Sequence, residues 1–262
     1  MLWIICYLVT FFACVVGTIC GMGGGIIIKP VLDATGLMSV STITFLSGCT
    51  VIAMATWSIG KNLLKGESEL DIRTTGLLAT SAAVGGLLGK QLFGLTAGLF
   101  PDPDTAGGVQ AALLLAATFA TFVYTLRKDS LPTRHVSSFR ANLIIGLLLG
   151  LLGAFLGIGG GPFNVAVLCY FFSMPTKRAT QNSLLIVLFS QLASTLKTAL
   201  IDGAPPISPV VLLFMMLMGV AGSEIGRLIN RKIDNSQATI CLEAAMLLIM
   251  GISTYNIIQF FA

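Results

Sequence analysis

Long apolar segments separated by short polar gaps run the length of the chain. The segments lie at about 2–20, 24–37, 40–60, 74–97, 106–126, 141–157, 161–173, 178–200, 207–229 and 236–261. Most of them are close to the roughly 20 residues that a helix needs to cross a bilayer. The pattern therefore predicts an all-α integral membrane protein with about ten membrane segments.

Two of these segments, 24–37 and 161–173, are too short to cross as straight helices. Each rises only about 20 Å, whereas the hydrocarbon core is about 30 Å thick. Each follows directly on a glycine cluster, Gly21–Gly25 or Gly157–Gly161. Main-chain groups that leave a helix cannot face lipid, because every unsatisfied group costs several kcal/mol. We expect short or broken helices at two Gly-rich turns, and the sequence leaves open whether these segments span or re-enter.

The second half of the chain repeats the first. Sliding residues 17–62 onto 153–198 without a gap superposes the two glycine clusters, and residues paired by this alignment are called equivalent below. Further identical pairs are Thr44 with Thr180, Ser47 with Ser183 and Lys61 with Lys197. These matches predict a duplication.

The duplication divides the chain into two membrane repeats, 1–126 and 141–262, joined by a polar linker at 127–140. The positive-inside rule places the linker and the other loops rich in Lys and Arg in the cytoplasm, and Asp102, Asp104 and Asp202 outside. Five crossings in each repeat, an odd number, make the two repeats inverted and put both termini outside. Re-entrant short segments would change this parity.

Composition narrows the functional classes. The chain is 55% hydrophobic and 10% charged, whereas a soluble domain carries about 25% charged residues. The formal charge of +4 comes from loop bases that orient a membrane protein, so no nucleic-acid partner is expected.

The N-terminus lacks the basic region of a cleaved signal and is interpreted as the first membrane segment. The six cysteines form no Cys-x-x-Cys pair and the single histidine, His135, lies in the linker, so no metal, cofactor or enzymatic activity is predicted.

The glycine clusters are the candidate binding site. A Gly-rich turn that opens a helix presents main-chain N–H groups at the positive end of the helix dipole, which suits an anion. Two such breaks that meet inside the membrane would hold a small oxyanion between them. The alternative is that the clusters only allow close helix packing, which is the interpretation preferred for the isolated glycines Gly85, Gly86 and Gly150.

Polar side chains in the segments after each break add donors for an anion. The predicted substrate-binding residues are Gly23, Gly24, Gly25, Lys29, Thr44, Ser47, Gly159, Gly160, Gly161, Thr180, Gln181, Asn182, Ser183 and Lys197. The hydroxyls could instead bond their own helix, and Lys197 could extend to the lipid headgroups. Glu224 and Arg227, three residues apart, are expected to pair with each other.

The clusters Gly21–Gly25 and Gly157–Gly161, the run Ala179-Thr-Gln-Asn-Ser183 and the pair Gly226-Arg227 resemble the sulfite exporter TauE/SafE family of membrane permeases. The resemblance covers nearly the whole chain. It implies secondary transport of small sulfur-containing or organic anions, such as sulfite, sulfonates or sulfoacetate, across a bacterial inner membrane. The first repeat departs from the second, because it has Phe45-Leu46 where the second has Gln181-Asn182.

The hypothesis is a secondary transporter that holds its anion between the two breaks and works by alternating access. One alternative is a passive anion channel or facilitator of the same architecture, although few polar rings are present to line a pore. Another is an intramembrane enzyme, disfavoured because no membrane histidine could activate a nucleophile. The expected partners are a small anion, the lipid bilayer and a coupling ion, either a proton or sodium. The sequence leaves open the substrate, the transport direction, the coupling ion and the oligomeric state.

Overall fold

A computed structural model describes residues 2–36, 38–100 and 103–261, and throughout these ranges the regular structure is helical. The α-helices are α1 (Leu2–Cys20), α2 (Gly25–Asp33), α3 (Val40–Leu64), α4 (Ile72–Ala97), α5 (Pro103–Arg127), α6 (Phe139–Phe155), α7 (Pro162–Phe172), α8 (Thr176–Lys197), α9 (Pro209–Lys232) and α10 (Asn235–Phe261). A 3₁₀ turn follows α5 and a π-helical turn follows α8. Asp102 and the two terminal residues, which carried topology predictions, lie outside the described residues.

Six of the described helices are long and apolar enough to cross a membrane: α1, α3, α5, α8 with its π-helical turn, α9 and α10. Helices α6 and α7 are apolar but shorter, and α2 has only nine residues. The predicted class, an all-helical membrane protein, agrees with this architecture. The two short predicted segments correspond to α2 and α7, each of which begins directly after a glycine cluster.

Helix α4 packs along both α6 and α8, which belong to the other half of the chain. Leu78 lies against Gly146 and Ala82 against Gly150, so α4 and α6 run in the same direction. A Cβ on Gly85 or Gly150 would collide with main-chain atoms of the opposing helix. The packing interpretation of these isolated glycines is confirmed, because only glycine lets the two backbones approach so closely.

Helix α9 makes the matching set of contacts with the first half, packing along α1 and α3. Gly222 contacts Phe11 and Gly226 contacts Val15, so α9 runs parallel to α1. The hydroxyl of Ser223 donates to the carbonyl of Met54 at 3.0 Å, which ties α9 to α3. In each half, therefore, the fourth helix packs on the first and third helices of the other half.

The corresponding third helices, α3 and α8, run in opposite directions, because Ser58 and Asn62 near the end of α3 line the same cavity as Gln181 near the start of α8. Gly48, near the start of α3, lies against Thr195 near the end of α8. Helices α5 and α10 are also antiparallel, because Gly107 contacts Phe260 whereas Lys128, just beyond α5, donates to Thr239 at 2.6 Å. These two crossings bring the halves together around the glycine breaks.

The segment between the halves lies against the second half. The amide of Arg134 donates to the carbonyl of Tyr170 at 2.7 Å, and the amide of Val136 donates to Phe171 at 2.9 Å. Lys128 also bonds Thr176 at the start of α8. These contacts hold the linker over the end of α7.

Candidate functional site

The two helix breaks share left-handed glycines at two equivalent positions, although Gly25 is already helical where its equivalent Gly161 is extended. Gly21 and Gly23 have φ values of 67° and 70°, and the equivalent Gly157 and Gly159 have 69° and 72°. These angles lie in the left-handed region, which glycine adopts without the steric cost that other residues carry. The structure thus has a helix break at each predicted cluster, and the repeated glycines account for the repeated turn.

The breaks meet at the centre of the molecule. A Cβ on Gly25 would lie 3.0 Å from the carbonyl oxygen of Ile158, and one on Gly161 would lie 3.1 Å from Cδ1 of Ile26. Val187 of α8 contacts the glycines of both breaks. Helices α2 and α7 therefore begin side by side. Pro162 at the start of α7 has no N–H, and the amides of Ile27 and Asn164 already donate to the carbonyls of Gly24 and Gly161. The N–H groups that precede the first helical bond are those of Gly25, Ile26 and Phe163.

Polar side chains without hydrogen-bond partners surround this meeting point. Ser47 and its equivalent Ser183 are completely buried, and neither hydroxyl has a partner among the described residues. The Ser47 oxygen lies 2.9 Å from the position that a Cβ on Gly25 would occupy. Asn164 of α7 and the Gln191 amide nitrogen of α8 are also buried without partners. Buried polar groups are normally hydrogen-bonded, so these donors are available for a ligand.

One polar cavity of about 250 Å³, named the open cavity, leads toward the breaks. Its lining residues are Thr18, Ser58, Asn62, Glu67, Glu69, Lys177, Thr180, Gln181, Leu184, Arg227, Asn230 and Arg231. Three basic and two acidic side chains line it, and a third carboxylate, Glu224, pairs with the lining Arg227 at 2.7 Å. The Lys177 ammonium bonds the main-chain carbonyls of Arg231 and Ile233.

A second cavity on the opposite side of the breaks has a volume of only about 10 Å³ and is named the closed cavity. Its lining includes Thr44, Phe45, Ala154, Ser194 and Thr198, together with Lys90, Gly157, Gln191 and Thr195. The first five are the equivalents of Thr180, Gln181, Thr18, Ser58 and Asn62, all of which line the open cavity. The two cavities are therefore corresponding surfaces of the two halves that differ in volume, about 250 against 10 Å³.

A network of charged groups borders the open cavity. Arg227, whose side chain is 2% exposed, donates to both carboxylate oxygens of Glu224, at 2.7 and 3.1 Å. It also contacts Glu67 at 3.3 Å, and Glu67 pairs with Arg231 at 2.9 Å. The indole N–H of Trp57 donates to Glu224 at 2.8 Å. The predicted Glu224–Arg227 pair is confirmed. Glu67, the second acidic partner of Arg227, holds the loop after α3 against α9.

The comparisons with known proteins agree with this architecture. The family model described as sulfite exporter TauE/SafE matches residues 6–254. The chain belongs to this family. It is also 24% identical over 279 aligned positions, covering 95% of this chain and 96% of the relative, to the protein of Bacillus subtilis (strain 168) named "Probable membrane transporter protein YunE". No solved structure matches. Membership of this family identifies the protein as an integral membrane transporter and not as an enzyme.

In this TauE/SafE transporter, the predicted site residues fall into three groups. Gly23–Gly25, Gly159–Gly161 and Ser47 lie together at the breaks, and Ser183 lies one helical turn from Val187, which contacts both breaks. Thr180 and Gln181 line the open cavity, and Thr44 lines the closed one. Lys29 lies against Gly157 of the second break, whereas Asn182 and Lys197 lie away from the breaks.

Asn182 uses its amide to hold the loop between α3 and α4. Its oxygen accepts from the amide of Asp71 at 2.9 Å and from the hydroxyl of Thr75 at 2.7 Å. Its nitrogen donates to the carbonyls of Glu69 at 3.1 Å and Arg178 at 2.8 Å. With both amide atoms engaged, Asn182 has a structural role in this conformation.

The two predicted lysines have carboxylate partners. Lys29 is buried and its ammonium lies 2.6 Å from Asp33, four residues along α2. Lys197 pairs with Asp202 at 2.6 Å at the far end of α8, where both side chains are partly exposed. The structure thus does not bring Lys197 to the breaks.

Several lining residues were not singled out by the sequence analysis. Asn164 and Gln191 at the breaks were missed, as were Asn62, Lys177 and Asn230 in the open cavity. An asparagine within the short apolar segment after the second cluster was the available signal, because polar side chains at membrane depth are costly and often functional. Among the described residues, no group of three or more His, Cys, Asp and Glu side chains could hold a metal ion.

Proposed function

We propose that the protein is a secondary transporter of small sulfur-containing or organic anions that works by alternating access. The observation that carries this proposal is the pair of corresponding cavities, of about 250 and 10 Å³, on opposite sides of the glycine breaks. If the two repeats exchange their conformations, the closed cavity opens and the open cavity closes. The central site would then face each side of the membrane in turn.

This mechanism requires two inverted repeats of five membrane segments. The antiparallel crossings of α3 with α8 and of α5 with α10 support such a relation, because equivalent helices of inverted repeats run in opposite directions. The matching φ angles of the breaks support it further. In this proposal residues 1–126 and 141–262 are the repeats, and the linker 127–140 joins them.

Charge supports an inward-facing orientation for this conformation. Lys177, Arg227 and Arg231 line the open cavity, and cytoplasmic ends of membrane proteins carry an excess of Lys and Arg. We therefore propose that the open cavity faces the cytoplasm of a bacterial cell, that the linker lies on the same side, and that both termini lie outside.

The polar chemistry along this path suits a small oxyanion. The Lys177 ammonium, whose bonds among the described residues are to main-chain carbonyls, would attract the anion. Thr180 and Gln181 line the approach, and the unpartnered hydroxyls of Ser47 and Ser183 lie at or near the breaks. Together with the N–H groups of Gly25, Ile26 and Phe163, these donors would replace the water that the anion loses.

The closed cavity favours a transporter over a passive channel. A channel needs an aqueous path through both cavities at once. A volume of about 10 Å³ has room for about one water molecule. This conformation therefore supports a gated cycle.

The proposal is tested by anion binding to the purified protein in detergent. Sulfite, sulfoacetate, taurine and acetate are added separately, and the melting temperature is measured. A ligand that binds only the native state raises this temperature, and we expect a rise with sulfite or sulfoacetate. The Ser47→Ala and Ser183→Ala variants should each weaken binding by roughly 2- to 10-fold, since each loses one hydrogen bond.

Ser138→Ala is the matched control, because this exposed serine precedes α6 and its side chain makes no capping bond. The control should keep the wild-type response. The proposed anion site is wrong if none of the sulfur anions shifts the melting temperature, or if both Ser47→Ala and Ser183→Ala respond like Ser138→Ala.

A further inference from the structure

A small cavity beside α2 is lined by an unusual number of oxygen atoms without partners. Its volume is about 10 Å³, and it lies among α2, α5, α10 and the end of α6. The unpartnered acceptors are Asp33 Oδ1, Gln110 Oε1, Ser253 Oγ and Asn256 Oδ1. Their residues are 8%, 3%, 0% and 1% exposed, respectively. We name this cavity, by those four residues, the oxygen-lined cavity.

The hydrogen bonds that Gln110 and Asn256 make determine which of their side-chain atoms have no partner. Gln110 donates its amide nitrogen to the carbonyl of Phe155, and Asn256 donates its amide nitrogen to the carbonyl of Pro30 at 2.9 Å. A rotated amide would place its oxygen against a carbonyl oxygen. The amide oxygens are therefore the free atoms, and oxygen acceptors are the ligands that hard cations prefer.

We propose that the oxygen-lined cavity binds a monovalent cation of about the size of sodium, and that Lys29 couples this cation to the transported anion. The volume is close to that needed for one water-sized species. A proton on Asp33 would supply one donor and satisfy one acceptor, whereas a cation takes several oxygen ligands at once. Asp33 is also the last residue of α2, where the negative end of the helix dipole favours a cation.

Lys29 connects this cavity to the second glycine break. Its ammonium pairs with Asp33 at 2.6 Å, while Cε of the same side chain lies 2.9 Å from the position of a Cβ on Gly157. Gly157 and its neighbour Thr44 line the closed cavity. One lysine thus lies between the cation cavity and the anion path.

The balance of buried charge would couple the binding of the cation to the binding of the anion. In the ligand-free state Lys29 neutralises Asp33, and an unpaired charge buried here would be costly. A cation bound at Asp33 replaces Lys29 as its partner, and the released ammonium can then face an anion at the break. Binding both ions leaves the buried charge unchanged, whereas binding either alone adds one charge. Each ion therefore favours the other.

The second repeat lacks this chemistry. The equivalents of Lys29 and Asp33 on α7 are Val165 and Cys169. If the charge pair only stabilised the short helix, the equivalent helix α7 would be expected to have the same pair. Because the pair is present in one repeat alone, it supports a function that the molecule performs once in each transport cycle, such as binding one coupling ion.

The cation site is tested on the purified full-length protein by measuring its melting temperature against NaCl, with choline chloride or KCl keeping the ionic strength constant. We expect a saturable rise specific to sodium. Asp33→Asn should abolish the rise, and Ser253→Ala should raise the half-saturating sodium concentration by roughly 2- to 10-fold. Ser253→Ala keeps the test valid if Asp33→Asn fails to fold.

Asp202→Asn is the matched control, because this carboxylate also pairs with a lysine at 2.6 Å but at a partly exposed position. It should keep the sodium response. Equal shifts with potassium or choline, or a proton-dependent shift without sodium, would overturn the cation site. An unchanged sodium response in both Asp33→Asn and Ser253→Ala would do the same.

Coupling is measured as the change in anion affinity when sodium replaces potassium. Coupling free energies in proteins typically correspond to roughly 5- to 150-fold changes in affinity. We expect tighter anion binding in sodium, and Lys29→Gln should remove the difference. This coupling rests on the proposed function, but the two fail separately. Anion binding that is equal in both salts overturns the coupling alone, whereas a sodium response without any anion response contradicts the anion site alone.

Discussion

Single glycines in this chain have two different tasks. Gly85 and Gly150 lie in regular helices and remove side-chain bulk where helices from opposite halves touch. Gly21 and Gly157 also have positive φ values, so they determine the path of the main chain. Only residues of the second kind are needed to turn the chain back inside the molecule.

Gly21→Ala tests the turn at the level of one residue. The new Cβ would collide with main-chain atoms of Thr180, and a left-handed alanine costs about 1–2 kcal/mol by itself. We expect a lower melting temperature and loss of anion binding. Gly60→Ala is the control, because its Cβ would meet no atom within 4 Å and alanine is the better helix former by about 0.5–1 kcal/mol. Wild-type stability and binding in Gly21→Ala would contradict the need for this turn.

At the scale of elements, the loop between α3 and α4 is held to α8 chiefly by Asn182. Beside it, the Glu69 amide donates to Gln181 at 3.0 Å, and Arg178 contacts Asp71 at 3.8 Å. Asn182 bonds Glu69, Asp71 and Thr75, and these bonds connect elements from opposite halves. The loop also carries Glu67, which pairs with Arg227 and Arg231 of α9. The wall of the open cavity thus depends on contacts among three elements.

Asn182→Leu should release this loop. Each polar group left buried without a partner costs about 1–3 kcal/mol, so the loop should open more often. Hydrogen–deuterium exchange of residues 66–72 should become faster. Thr80→Val is the control, because its hydroxyl bonds only Leu77 within α4. Equal exchange in the two variants would show that Asn182 does not hold the loop.

The helices and their breaks could be predicted because they follow from local rules. Apolar length identifies the long helices, and glycine repeated at Gly21 and Gly157 marks the turns. The role of Asn182 could not be predicted, because its partners lie far away along the chain. The oxygen-lined cavity was missed for the same reason, since Asp33, Gln110 and Asn256 meet only through helix packing.

At the scale of the whole molecule, the two halves interlock. Helix α4 packs between α6 and α8 of the second half, and α9 packs between α1 and α3 of the first. A change at one cavity must therefore move helices that also border the other. This geometry fits a transporter in which opening on one side accompanies closing on the other.

Cysteine labelling tests the accessibility of the two cavities. Asn62 lines the open cavity, and its equivalent Thr198 lines the closed one. Each is replaced by cysteine after the six native cysteines have been removed. A membrane-impermeant maleimide should react with Asn62→Cys from the cytoplasmic side and leave Thr198→Cys unmodified from either side. Rapid labelling of Thr198→Cys in the absence of ligand, or of Asn62→Cys from outside, would contradict the inward-facing assignment.

The Trp57–Glu224 hydrogen bond gives the molecule an optical consequence. Trp57 is one of only two tryptophans, and its indole is also 4.8 Å from the Lys61 ammonium. Its ring therefore lies between a cation on α3 and a carboxylate on α9 that holds Arg227. Indole emission depends on nearby charge, so separation of these helices would change the intrinsic fluorescence. Trp57 is thus an intrinsic fluorophore that would report movement at the edge of the open cavity.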